Sequence, residues 1–186
     1  AFYSAMNSLD THDTPRFLTL LGAGSEYWDQ SKEWRARFHL SPKQRTRGRE
    51  LLKAAALLLF CFPGSPTIYY GDEAGMEGFE DPFNRQTYPW GREDQELLDW
   101  YRSLGRLRRR WQALRRGGIR YVHGRGPLLA FLRETDGERL LCAFNAGDEP
   151  RTLTADVGRL FLLLGQAELT QEEELYTVTL PPRSGA

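Results

Sequence analysis

The chain has 186 residues, enough for one sizeable core or two small ones, with 40% hydrophobic and 27% charged residues, as in ordinary soluble globular proteins. Lys+Arg and Asp+Glu are both 25, so the charge balance gives no reason to expect nucleic acid or an anionic membrane as partner. The longest apolar run, residues 54–62, is too short to cross a bilayer, and Cys61 and Cys142, far apart along the chain in apolar surroundings, read as buried free thiols rather than a disulfide or metal pair.

In chain order, residues 1–9 are mixed apolar and small, consistent with the end of a buried strand, and the polar residues 10–15 end it. Residues 16–21 form a short apolar segment closed by Gly22. Residues 23–40 are polar but carry Tyr27, Trp28, Trp34 and Phe38, and read as an excursion with some helix packed by its aromatics. Ser41-Pro42-Lys43-Gln44 is a strong helix start: a capping serine, a proline in the first turn and a glutamine that completes a capping box. That helix is expected to run to about Phe60. Its second half is apolar on every face and should be buried all round. Pro63-Gly64 stops it, residues 67–70 read as a strand, and residues 72–92 as a long loop.

Residues 93–116 predict a second helix. Leu97, Trp100, Tyr101, Leu104, Leu107, Trp111 and Leu114 recur at three- and four-residue steps, with acidic residues leading and arginines closing. Gly117-Gly118 is the best boundary, which gives domains at residues 1–116 and 117–186. Beyond it short strands are expected at 119–123, 128–133, 139–145, 152–156, 159–164 and 175–180, with an Asp136-Gly137 turn, as in an antiparallel β-sandwich. The first part orders as strand, polar loop, helix, twice over: two β/α units of a parallel fold, in which chemistry sits at the C-terminal strand ends. A closed (β/α)8 barrel needs roughly 250 residues, so these two units require further chain to be stable.

Two polar clusters follow the expected strands. His12-Asp13 has the atoms to grip vicinal sugar hydroxyls, although an Asp before Thr-Pro is more often a cap or turn residue. Asp72-Glu73 either holds a ligand or fixes its loop by bonding backbone N–H groups and a nearby arginine; the structural role is favoured. Asp81 and Arg85, four apart, either pair across a turn or touch substrate. The eight arginines of residues 102–120 read as a solvated helix face. Trp28, Trp34 and Trp90 have rings suited to stacking on sugars, with core packing as the default. His39 and His123 have no partners at metal-ligand spacing, and no metal or cofactor site is visible.

Taken together, three motifs in this order resemble the alpha-amylase family of glycoside hydrolases, glycoside hydrolase family 13, and in particular its neopullulanase, cyclomaltodextrinase and alpha-glycosidase branch. They are Leu9-Asp10-Thr11-His12-Asp13-Thr14-Pro15-Arg16-Phe17, Gly64-Ser65-Pro66-Thr67-Ile68-Tyr69-Tyr70-Gly71-Asp72-Glu73-Ala74-Gly75 and Asp81-Pro82-Phe83-Asn84-Arg85-Gln86-Thr87-Tyr88-Pro89-Trp90. The resemblance implies the last two β/α units of a TIM barrel followed by a C-terminal β-sandwich. It also implies retaining hydrolysis of alpha-1,4 or alpha-1,6 glucosidic bonds in maltodextrins, cyclodextrins or pullulan.

The family's Asp nucleophile and Glu acid/base would lie before Ala1, so this chain alone is expected to be inactive and to need the N-terminal part of the same enzyme as its partner. Asp13 carries over as the third carboxylate, a transition-state stabiliser, and His12 as a binder of substrate hydroxyls. Asp81 and Arg85 match positions that contact the neighbouring glucose. Branch resemblance and the lack of disulfide usage imply a cytoplasmic location; a homodimer is left open. Thr11 stands where many amylases have Asn, and residues 23–40 exceed the usual connection, which puts substrate length in doubt. Two rivals stand beside the hydrolase. One is a transglycosylase or trehalose-forming enzyme of the same family. The other is a non-catalytic glucan-binding or assembly module, against which the fully apolar helix half argues.

Overall fold

The computed structural model describes residues 4–25, 27, 29–172 and 175–186. Trp28, offered above as a stacking ring, lies outside the described residues. A short strand, β1 (Met6–Asn7), pairs in parallel with β2 (Ser65–Pro66), in the register Met6↔Ser65 and Asn7↔Pro66. Between them run α1 (Phe17–Ala23), α2 (Lys32–Arg37) and α3 (Pro42–Cys61). Gly22 therefore lies inside a helix rather than closing a segment. A Cβ on Gly22 would come within 2.7 Å of Gln44 O, and one on Gly48 within 2.9 Å of Leu18 O, so the two glycines let the α1 and α3 backbones touch.

The start of α3 is the capping box expected from its sequence. Ser41 Oγ accepts from Gln44 N, and Gln44 Oε1 accepts from Ser41 N at 3.0 Å. Its second half is buried at Leu51, Leu52, Ala54, Ala56, Leu57, Leu59 and Phe60. Each such leucine contributes roughly 2 kcal/mol of apolar burial. The helix end is closed by two arginines from elsewhere: Arg108 donates to the carbonyls of Phe60, Phe62 and Gly64, and Arg133 to those of Cys61, Gly117 and Gly118. Arg108 thus leaves the solvated arginine face predicted for residues 102–120.

Three other expectations change. The paired strand is Ser65–Pro66 rather than residues 67–70, because Tyr69 and Tyr70 turn onto Arg16, whose guanidinium lies 4.1 and 4.7 Å from their ring centroids. The expected strand at residues 1–9 is not buried where it is described, since Met6 is 76% exposed. The second helix is two: α4 (Gln95–Arg110), capped by Asp94, and α5 (Gln112–Arg116). Trp111 between them is extended (φ −98, ψ 120). Glu138 Oε2 accepts from Ala113 N at 2.8 Å and seats a new helix start there, with Ala113 and Leu114 fully buried.

From Gly118 onward the chain is antiparallel sheet. β3 (Gly118–Arg125), β4 (Leu128–Thr135) and β5 (Glu138–Asn145) form one sheet with β9 (Ser184–Gly185), in the order β3-β4-β5-β9. β6 (Arg151–Ala155), β7 (Glu168–Glu172) and β8 (Leu175–Leu180) form the other, in the order β6-β8-β7. The Asp136-Gly137 turn joins β4 to β5, with Thr135 opposite Glu138. Residues 159–164, expected as a strand, join no ladder among the described residues; Phe161, Leu162 and Leu163 are exposed while Leu160 and Leu164 pack inward. The strand that takes their place is β7, eight residues or so later in a polar stretch that apolar patterning does not mark.

Leu128, Ala130 and Leu132 of the first sheet meet Leu153, Val178 and Leu180 of the second in one core. A second core joins α3, α4 and α5 to Phe131, Leu140, Cys142 and Phe144. Cys61 and Cys142 are free and buried, as expected, but they are neighbours in space, packed in the same core.

Candidate functional site

The two loops that follow β1 and β2 meet. Residues 10–16 leave the C-terminal side of β1, and residues 70–86 leave that of β2, so parallel pairing puts both on one end of the strand pair. His12 and Asp13 sit on a tight turn closed by Thr14 N to Thr11 O, with Thr11 Oγ1 accepting from Asp13 N. Their side chains are 63% and 71% exposed, and His12 Nε2 lies 3.2 Å from Asp13 Oδ2. Arg85 reaches across from the second loop. Its Nη2 is 3.5 Å from Asp13 Oδ1, its Nε is 2.8 Å from Asp81 Oδ1, and that Nε also donates to His12 O at 3.2 Å. The four residues His12, Asp13, Asp81 and Arg85, offered from sequence as two separate sets, therefore form one cluster. Asp81 and Arg85 do pair across their turn, and the same guanidinium serves Asp13.

Beneath this exposed cluster lies a buried layer. Asn84 is fully buried, and its amide donates to three carbonyls of the first loop: Thr11 O, His12 O and Thr14 O, at 3.3, 2.8 and 2.7 Å. Arg16 is also fully buried. Its Nε donates to Asn84 O at 2.9 Å, and its Nη1 serves Tyr70 O and, at 3.4 Å, Asp72 Oδ1. A planar guanidinium with five fixed donors suits a site where several carbonyls and a carboxylate converge. Asp10 completes the layer, its Oδ2 accepting from Phe17 N at 2.7 Å.

Asp72 and Glu73 separate in their surroundings. Asp72 is buried against Arg16 and Asp10, and burial lifts its carboxyl to about 9, with the Asp10 charge adding and Arg16 opposing. Glu73 Oε2 accepts from Gly71 N at 3.0 Å. Gly71 itself has φ +92, and the Met76 side chain fills the space a Cβ would need, so this turn is closed to other residues. Asp81-Pro82 is a cis peptide bond at the head of the segment that carries Asn84 and Arg85.

The tryptophans divide. Trp34 packs into an aromatic group with Tyr27, Phe38 and Phe79, with ring centroids 4.9 to 6.4 Å apart. Trp90 is not core: it is 80% exposed and touches Tyr88 at 4.5 Å between centroids. Among the described residues no three His, Cys, Asp or Glu side chains converge as a metal site, and no helix is long and apolar enough to cross a membrane. The sequence reading missed Arg16, Asn84 and Asp10. A polar loop residue beside an apolar run carries no mark of burial; only the motif order pointed to this region.

The chain as a whole is similar to known proteins. The model of the alpha amylase catalytic domain matches residues 3–113, and that of the maltogenic amylase C-terminal domain matches residues 124–186. The chain belongs to the alpha-amylase family. It is similar to neopullulanase 2 of Thermoactinomyces vulgaris, with 33% identity over 189 residues, covering 96% of this chain and 28% of that protein. It is also similar to an amylopullulanase of Thermoanaerobacter thermohydrosulfuricus, with 42% identity over 132 residues, 71% of this chain and 8% of that protein. Among solved structures, the native debranching enzyme of Nostoc punctiforme superposes with a TM-score of 0.77 at 32% identity, over 98% of this chain and 35% of that one. The chain thus spans about a third or less of the length of these relatives.

Proposed function

We propose that this chain is the C-terminal portion of a retaining alpha-glucan hydrolase that cleaves alpha-1,4 or alpha-1,6 glucosidic bonds. In this reading residues 1–116 supply the last two β/α units of a TIM barrel and residues 117–186 a β-sandwich. The observation that carries it is the convergence of His12, Asp13, Asp81 and Arg85 at the C-terminal side of the parallel strand pair, where barrel enzymes hold their chemistry. The relatives' names, which speak of pullulan and cyclomaltodextrin, support the substrate class. The cytoplasm is the location this reading keeps, on branch resemblance and the two unbridged cysteines.

In the reaction, Asp13 and His12 take the hydroxyls of the sugar at the cleavage point. Contacts that tighten as the ring flattens lower the oxocarbenium-like transition state more than the ground state. Exposure suits this role, because both side chains must be free to meet substrate. Arg85 pairs with both Asp13 Oδ1 and Asp81 Oδ1, which supports a reading in which Asp13 meets the sugar at the cleavage point and Asp81 the adjoining glucose.

The nucleophile and acid/base come from upstream chain in this proposal. The purified 186-residue chain therefore releases no reducing sugar from maltodextrin, whereas the enzyme that includes the upstream strands does. Turnover by the chain alone would overturn the assignment.

A further inference from the structure

Two carboxyl groups and one guanidinium are buried together under the exposed cluster. Asp10 and Asp72 are each 4% exposed and Arg16 is fully enclosed. The two carboxyl groups act directly on one another. Two ionised carboxylates are acceptors only and repel, so a close buried pair favours holding one proton. Charge counting agrees: the one guanidinium balances one carboxylate, and a second uncompensated charge in a buried site is strongly unfavourable. Asp10 Oδ1 is buried with no hydrogen-bond partner among the described residues, which leaves Asp10 with acceptor capacity for a protonated neighbour.

The contacts favour the proton on Asp72. Burial raises Asp10 as well, but the Phe17 N–H donates to it at 2.7 Å and opposes that rise. Arg16 approaches Asp72 only at 3.4 Å and turns its other donors to Asn84 O, Tyr70 O and the Met76 sulfur. Burial, and then the Asp10 charge, act on Asp72 in the same sense. The other groups facing the pair are the Tyr101 hydroxyl from α4 and Glu73 from the same loop. Tyr101 bonds neither carboxyl, and burial holds its phenol well above the usual range. Glu73 is turned onto Gly71 N.

We infer that Asp10 and Asp72 share one proton, and that this acid pair is a positioning device which, through Arg16 and Asn84, ties the His12-Asp13 loop to the loop carrying Asp81 and Arg85. Only its activity readout rests on the hydrolase reading; the proton does not. The sign of the pH effect follows from the proton count. Between an unfolded carboxyl near 3.8 and a folded one near 9, the folded state holds the extra proton. Stability is then greatest at the acid end, falls as pH rises through that window, and levels off above it.

The test is the melting temperature of the full enzyme between about pH 5 and about pH 10, for the natural protein and Asp72→Asn, alongside the pH profile of kcat. The Asn amide keeps a donor toward Asp10 at every pH, so the variant loses the downward slope with rising pH and the alkaline limb of kcat that the pair causes. Parallel melting curves for the two proteins would overturn the inference. Should Asp72→Asn not fold, infrared spectra of the natural enzyme at neutral pH decide the matter: a buried protonated carboxyl band supports the pair, and its absence refutes it. Differing slopes in a protein without glucan turnover would sink the hydrolase reading and leave the pair standing. Normal turnover with parallel slopes would do the reverse.

Discussion

The exposed cluster and the buried layer beneath it use the same kinds of residue for opposite ends. Asp13, Asp81 and Arg85 lie in water, and their pairs are long or solvated, 2.8 to 3.5 Å between side chains 44% to 71% exposed. Asp10, Asp72, Arg16 and Asn84 are within 4% of complete burial, and their donors are spent on backbone carbonyls and on each other. Exposed ion pairs contribute little to stability, whereas breaking a buried one leaves an unpaired charge or carbonyl out of water. The difference teaches a division of labour. The upper residues are free to bind a ligand because the lower ones have already fixed both loops.

Substitutions in the two layers should separate stability from activity. Arg16→Leu removes the one cation beside the Asp10–Asp72 pair and strands the Tyr70 and Asn84 carbonyls, so denaturant unfolding should show a loss of about 3–5 kcal/mol. A loss under half a kilocalorie, roughly the scatter of neutral surface changes, would mean that the layer is not what holds the loops. Asn84→Ala releases three carbonyls of the His12-Asp13 turn. It should cost about 1–3 kcal/mol and raise KM for glucan as the turn loosens; unchanged melting and unchanged KM together would detach Asn84 from the site. Asp99→Ala, which removes an exposed partner of Arg102 on α4, should move stability by no more than about 0.5 kcal/mol. A larger drop would show that surface pairs matter more in this chain than the comparison allows.

Legibility in the sequence followed the same divide. The capping box at Ser41 and Gln44, the apolar half of α3 and the Asp136-Gly137 hairpin are local signals, and the structure keeps them. The break at Trp111 was hidden because the cause is distant: Glu138 on β5 caps a helix start that the apolar period of residues 93–116 runs straight through. Residues 159–164 carry strand-like composition but find no ladder partner among the described residues, while the polar β7 pairs with β8. At the site, His12, Asp13, Asp81 and Arg85 were readable as motifs, whereas their union depends on Asn84 reaching back to Thr11, His12 and Thr14, a contact no spacing announces. Trp90 shows the converse, a ring that composition assigns to a core and the fold leaves in solvent.

The measurement that tests the account most directly is the steady-state kinetics of Asp13→Asn in the full enzyme, paired with its melting temperature. The account predicts that kcat on maltodextrin falls by roughly a hundredfold or more, about 3 kcal/mol of transition-state stabilisation, while the melting temperature stays close to that of the natural enzyme, since the Asp13 side chain is exposed and its pairs with His12 and Arg85 are solvated. An unchanged kcat, or a loss of activity that merely follows a loss of folding, would contradict it.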